Sequence, residues 1–216
     1  MSKRRLFLGG GGDENSATEI DDLYGTVLGV EAQVLYLPVA WELTSTTNYE
    51  TCLAWFAKAY ERFNFHIEMR TDLNGCNYDY LKRFDSVYLG GGNTFLLLQK
   101  LKESGFIDVL CRYINSGKVV YGGSAGAIVL GKDINTASLG ACSDKNTVGI
   151  HDLSGLDMVN DFAIHCHYKK ESCAEVKEFS KKQQLNILAL TEEGGVYVEG
   201  NTINYIGEVT SFVSGY

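Results

Sequence analysis

The sequence predicts an α/β fold with a largely parallel sheet and terminal antiparallel strands, and three observations carry that prediction. First, short apolar runs stop abruptly at glycine: Arg5–Leu8 before Gly9–Gly12, Ser86–Leu89 before Gly90–Gly92, and Val119–Tyr121 before Gly122-Gly123. Runs of this length read as buried strands whose carboxyl ends open into tight loops. Second, segments of helical periodicity lie between the strands, and that alternation implies right-handed βαβ units. Third, Gly195–Val213 alternates strand-like runs with Gly-Asn turn chemistry, which predicts antiparallel strands.

Along the chain, Gln33–Leu37 is a further buried strand, ending at Pro38, the single proline. Tyr49–Phe63 reads as a helix because Cys52, Leu53, Phe56, Ala59, Tyr60 and Phe63 recur at spacings of three and four. His66 falls in a predicted strand. A second helix carries Phe106, Ile107, Leu110, Tyr113 and Ile114 and stops at Gly117. Phe162–Tyr168 reads as a strand running into a loop, Cys173–Lys182 as a third helix, and Asn186–Leu190 as another buried strand. No repeat, low-complexity tract or linker interrupts the 216 residues, so residues 1–216 read as one α/β domain. In such sheets ligands bind beyond the carboxyl ends of the strands, where the glycines cluster.

Composition narrows the function. Hydrophobic residues are 45% and charged residues 21%, near the globular average. The net charge is −8, with no basic cluster beyond Lys3–Arg5 and two Lys-Lys pairs, which argues against a phosphate-neutralising nucleic-acid surface. No apolar run approaches the ~20 residues of a membrane span, and Leu6–Leu8 is too short for a signal-peptide core. The six cysteines form no C-x-x-C pair, which fits free thiols in a reducing cytoplasm. The expectation is a soluble, untargeted, cytoplasmic protein whose partner is a small substrate, with neither nucleic acid nor membrane.

The strongest chemical signal is Gly122-Gly-Ser124-Ala-Gly126, a G-x-S-x-G sequence after a predicted strand and before a predicted helix. That is the context of a nucleophile elbow. Small neighbours clear the strand and helix, the serine sits in a strained turn, and the helix amides face a developing oxyanion. A glycine-rich turn whose serine merely caps the helix is the bland alternative. A serine nucleophile needs a base. Of four histidines, His66 lies in a strand and His151 in a loop, whereas His165 and His167 fall two apart at a strand end, on one face, with Cys166 on the other.

Ser86-Val-Tyr-Leu-Gly-Gly-Gly-Asn-Thr-Phe-Leu-Leu-Leu97, Tyr121-Gly-Gly-Ser-Ala-Gly-Ala127 and His165-Cys-His-Tyr168 together resemble the peptidase E (aspartyl dipeptidase) and cyanophycinase family of serine peptidases. The likeness covers about residues 5 to 207. It implies the flavodoxin-like three-layer sandwich of class I glutamine amidotransferases. It also implies Ser124 as nucleophile, His167 as general base, and the amides of Gly92 and Ala125 as oxyanion hole. A triple glycine suits that last role independently, since its amides approach a substrate unobstructed. Gly91, Asn93, His165 and Lys169 are expected to line the substrate site.

The acid departs from the family pattern. Leu139 stands where peptidase E places its aspartate. Cyanophycinase-like members draw a glutamate from a loop after a later strand, matched here by Leu190–Gly195. Glu193 is therefore the expected acid, with Glu192, Asp144 and Asp133 in reserve. Peptidase E also carries an arginine-rich stretch after its histidine. Here Tyr168–Lys177 has Lys169 and Lys170 but no arginine, so weak discrimination for an N-terminal aspartate is expected.

Other signals fall away. Gly126–Asp133 nearly spells a P-loop, but Asp133 replaces the magnesium-binding hydroxyl and apolar residues fill the loop. Gly9–Gly12 with Asp13 and Glu14 lacks dinucleotide-binding spacing and reads instead as an active-site loop. His165, Cys166, His167 and Cys173 do not make a convincing zinc set, so no metal or cofactor is expected. The sequence thus points to a serine-type peptidase acting on a short peptide or isopeptide-like amide. Its alternative is a non-catalytic or repurposed binding member of the same fold, a reading that Leu139 sustains.

Overall fold

The structure, a computed structural model, describes residues 3–13, 16–41 and 48–215; Glu14 and the Met1-Ser2 start lie outside them. In chain order the first half runs β1 (Arg5–Gly9), α1 (Thr18–Leu28), β2 (Gln33–Leu37), α2 (Tyr49–Ala59), β3 (His66–Met69), α3 (Tyr78–Leu81), β4 (Ser86–Leu89), α4 (Thr94–Glu103) and α5 (Phe106–Asn115). The second half runs β5 (Val119–Gly123), α6 (Ala125–Leu130), β6 (Phe162–His165), α7 (Cys173–Gln183), β7 (Asn186–Leu190), β8 (Gly195–Glu199), β9 (Thr202–Ile206) and β10 (Val209–Phe212).

A seven-stranded sheet has the order β3-β2-β4-β5-β1-β8-β9. Its first five strands are parallel, while β8 and β9 close the edge antiparallel, as the turn chemistry of the C-terminal segment requires. Strands β6 and β7 do not join this sheet. They pair in parallel with each other, and β10 pairs antiparallel with β7, forming a separate three-stranded sheet. Strand periodicity specifies which side chains face together but not which sheet a strand enters, so this division was not foreseen. The helix expected over Tyr49–Phe63 ends at Ala59 and continues as a 3-10 turn, Glu61–Phe63, closed by the left-handed Asn64. The apolar spacing persists because the turn keeps Phe63 stacked on Phe65, 5.6 Å between centroids.

The large sheet has two unlike faces. One carries a row of aromatic rings in register across five strands: Tyr36, Tyr88, Tyr121, Phe7 and Tyr197. Helices α1 and α2 cover it with Ala17, Ile20, Tyr24, Cys52 and Phe56. The Tyr88–Tyr121 and Phe7–Tyr197 centroids are each 4.5 Å apart, and Tyr36–Phe56 are 4.4 Å apart. Stacked pairs add about 0.5–1.5 kcal/mol beyond area burial. The opposite face is aliphatic, with Leu35, Val87, Val120 and Leu6 in one row, and α4, α5 and α6 pack against it. Two residues from the aromatic row, toward the carboxyl ends of the parallel strands and the amino end of β8, stand Gly90, Gly123, Gly9 and Gly195; Gly9 is registered with both Gly123 and Gly195. This row lacks side chains, and a cavity opens there.

All six cysteines are free thiols. Among the described residues no helix is long and apolar enough to cross a membrane.

Candidate active site

Ser124 lies between β5 and α6 with φ 50° and ψ −112°, a conformation that non-glycine residues adopt at a cost of about 1–3 kcal/mol. Its amide donates to the Gly9 carbonyl at 3.1 Å and its carbonyl accepts from Ala127 and Ile128, so the turn is held from both sides. A Cβ at Gly122 would run into the Gly126 carbonyl, and one at Gly126 into the Leu89 carbonyl. Backbone approaches that close leave glycine as the workable residue at both positions.

The Ser124 Oγ is 2.9 Å from His167 Nε2, and His167 Nδ1 is 3.3 Å from Glu192 Oε1. With Nε2 accepting from the serine hydroxyl, Nδ1 carries the proton and donates to the carboxylate. His167 has φ 53° and its amide donates to the Gly10 carbonyl at 2.9 Å, which seats the imidazole over the first glycine loop. That loop lines the cavity with Gly9, Gly11 and Gly12, as the sequence suggested.

The expected acid needs correction. Glu192, not Glu193, meets the imidazole; adjacent residues of the turn after β7 direct their side chains differently, and sequence spacing could not choose between them. The two aspartates are engaged elsewhere. Asp144 accepts from the Thr94 amide at 2.8 Å, at the start of α4, and Asp133 accepts from the Asn135 amide at 2.7 Å. Leu139 is buried and lines the cavity, offering no acceptor.

Gly92 has φ 115° and a Cβ there would strike the Ala40 carbonyl. Among the described residues, neither its amide nor that of Ala125 donates to another backbone carbonyl. A Cβ added at Gly91 would lie 3.6 Å from the Ser124 Cβ, so Gly91 borders the serine directly.

Two of the expected substrate contacts, Asn93 and Lys169, are placed differently from each other. Asn93 lines the cavity while its carboxamide also holds structure: Oδ1 caps α4 by accepting from the Leu96 amide at 3.0 Å, and Nδ2 donates one of its two hydrogens to the Lys145 carbonyl at 2.9 Å. Lys169 is exposed and is not among the residues lining the cavity; Lys170 pairs with Glu208 at 2.9 Å.

His165 does line the cavity, 3% exposed, with Nδ1 donating to the Thr136 carbonyl at 3.2 Å. Nε2 is then a bare acceptor with no partner among the described residues, and burial lowers the imidazole pKa. Cys166 was expected on the opposite face, yet it also borders the cavity. Its Sγ donates to the Ser124 carbonyl at 3.5 Å, and burial pushes the thiol pKa up, so it stays protonated. Alternation fails here because β6 ends at His165 and His167 is left-handed. His66 and His151 stand away from the cavity.

The model of peptidase family S51 matches residues 6–206. The chain belongs to peptidase family S51. An uncharacterized peptidase of Listeria monocytogenes is 30% identical over 128 residues, covering 57% of this chain and 60% of that protein. Peptidase E of Haemophilus influenzae is 42% identical over 60 residues, 28% of each chain. The chain thus matches less than two thirds of the length of these curated relatives. Among solved structures, a Listeria monocytogenes protein assigned as a peptidase E superposes with a TM-score of 0.74 at 23% identity, covering 94% of this chain and 98% of that one. A peptidase from an acI-B1 actinobacterium gives 0.70 at 16% identity, covering 99% and 96%. These two likenesses establish the shared fold of the S51 chain.

The cavity of about 880 Å³ also has walls that sequence reasoning missed: Asp21, Tyr36, Trp41, Trp55 and Tyr88, and Thr136 with Cys142, Ser143 and Lys145. A signal existed for Asp21. Ala17, Ile20, Tyr24 and Gly25 share a helical face, and an aspartate within that apolar stripe is out of place unless partnered.

Proposed function

We propose that this chain is a serine-type peptidase hydrolysing a short peptide or isopeptide-like amide. Ser124 Oγ adds to the amide carbonyl carbon as its proton passes to His167 Nε2. The developing oxyanion enters the Gly92 and Ala125 amides, and Glu192 stabilises the imidazolium through Nδ1–H. Collapse breaks the C–N bond, and Nε2–H gives its proton to the departing amine, leaving an ester on Ser124. Water then attacks that ester, losing a proton to His167, and the Oγ leaves reprotonated.

The observation that carries this reading is the 2.9 Å contact between Ser124 Oγ and His167 Nε2 at a strained elbow. Family membership supports it, and Glu192 supplies the acceptor whose absence at Leu139 sustained the non-catalytic alternative. Among the described residues lining the cavity, Lys145 is the single lysine or arginine, which supports weak preference for an N-terminal aspartate.

The test is a hydrolysis panel of dipeptides and isopeptide-linked amides on wild type and Ser124→Ala. The substitution should lower kcat by about 10³-fold or more on any substrate cleaved. Retention of most activity would remove Ser124 from the mechanism.

A further inference from the structure

The aromatic side of the cavity has no task in the bond-breaking steps. Its floor is the Tyr36–Tyr88–Tyr121 row, its walls include Trp41, Trp55 and Cys52, and Asp21 of α1 closes it. Glycine in the next row lets these rings reach the cavity: the hydroxyls of Tyr121 and Tyr88 stand 2.5 and 2.9 Å from where Cβ atoms at Gly9 and Gly123 would lie. Asp21 is connected to Ser124 through few contacts. Gly9 accepts the Ser124 amide, the Tyr121 hydroxyl overhangs Gly9, and that hydroxyl donates to Asp21 at 2.8 Å.

Asp21 is 7% exposed. Tyr60 and Tyr121 both donate to its Oδ1, at 2.8 Å each, and among the described residues Oδ2 accepts no hydrogen bond. The cation whose field reaches the carboxylate is Arg62, which is exposed and already paired with Asp22. No lysine or arginine among the described residues lines this side. A buried carboxylate facing a cavity walled by electron-rich rings is complementary to a cation, which gains from the carboxylate and the ring faces together.

Resting on the peptidase reading above, we infer that this recess is the specificity subsite of the enzyme and takes a cationic side chain, an ammonium or guanidinium on a flexible apolar stem, with its charge at Asp21 and its methylenes against Tyr36, Tyr88 and Trp41. The subsite selects for positive charge, opposite in sign to a pocket for aspartate.

Binding to Ser124→Ala tests this without requiring turnover. Calorimetry should give L-argininamide and L-lysinamide affinities at least about tenfold tighter than their neutral counterparts L-citrullinamide and L-norleucinamide. In Ser124→Ala/Asp21→Asn the ratio should fall to within about twofold, with an unfolding transition confirming that the double variant is folded. Equal affinity for the charged and neutral members of each pair, no binding of any of the four, or discrimination surviving Asp21→Asn each overturns the inference. The cation-to-neutral ratio in Ser124→Ala stands even if the Asp21 variant fails to fold. If discrimination is found while wild type cleaves no amide in the panel, the peptidase reading fails and the cation site remains.

Discussion

On the aliphatic face of the large sheet the rows continue to the strand ends, with Leu37, Leu89 and Leu8 covered by α4 and α6; on the aromatic face the last row is Gly90, Gly123 and Gly9. The same strands therefore end in a packed interior on one side and in a cavity on the other. Glycine occurs on both faces, for different reasons. At Gly122 it admits a backbone, and at Gly123 it admits the Tyr88 hydroxyl at the cavity wall beside the serine. A glycine-rich strand end is thus two signals superposed, separable only by the pleat.

One added methyl at each of these neighbours should separate the two roles. Gly122→Ala drives a Cβ into the Gly126 carbonyl, which cannot yield without moving α6. It should cost about 3 kcal/mol or more, read as a lowered urea midpoint. Gly123→Ala meets the Tyr88 hydroxyl at 2.9 Å, the far end of a side chain. Its stability loss should be about 1 kcal/mol or less, with the damage appearing in substrate or ligand affinity. Equal unfolding penalties at the two positions would erase the distinction.

The next largest effect concerns the turn bordering the cavity, where Glu192 reaches His167 and Glu193 does not. Glu192→Gln should lower kcat about 100-fold. This is less than the ~10⁴ lost on neutralising the enclosed acid of a serine protease, because the Glu192 side chain is half-exposed and water can take its place. Glu193→Gln should leave kcat within about twofold. The reverse ranking in steady-state kinetics would restore the sequence-based choice.

Much of this architecture was legible because apolar run length and glycine punctuation report buried strands directly. Ser124 was legible from its elbow; the strand-end pattern narrowed its partner to His165 or His167, and the family resemblance pointed to His167, whose Nε2 stands 2.9 Å from the hydroxyl. Choosing between Glu192 and Glu193 was beyond the sequence, since the four-residue connection between β7 and β8 fixes side-chain direction through backbone angles and not through composition. Asp21 and the aromatic row escaped for a different reason. The tyrosines lie on separate strands, and their alignment emerges only from cross-strand register. The separate β6–β7–β10 sheet escaped likewise, because pairing partners are a tertiary property.

A smaller effect sharpens the aromatic side alone. Tyr121→Phe keeps the ring stack but removes one of two donors to the buried Asp21 carboxylate. A loss of about 1–2 kcal/mol is expected by chemical denaturation, with little change in unfolding cooperativity. A neutral outcome would mean that the hydroxyl is replaced by solvent, and therefore that the recess is wetter than its walls suggest.

The smallest effect separates the two sides of the cavity by pH. Burial raises the pKa of Asp21 above 3.8, so the folded chain holds that proton more tightly than the unfolded chain does. Its contribution is full below about pH 3.8 and is lost as pH rises through the higher folded value. Burial lowers the pKa of His165 below 6.5, so there the unfolded chain holds the proton more tightly. That contribution is full above about pH 6.5 and is lost as pH falls toward the folded value. Each slope is bounded by one proton, about 1.4 kcal/mol per pH unit. Relative to wild type, Asp21→Asn should therefore gain stability progressively as pH rises above 4, whereas His165→Gln should lose less stability than wild type as pH falls below 6.5. Stability curves that shift in parallel, with no pH dependence in either difference, would show that both groups titrate in the folded protein as they do in water, and the two sides of the cavity would then be electrostatically alike.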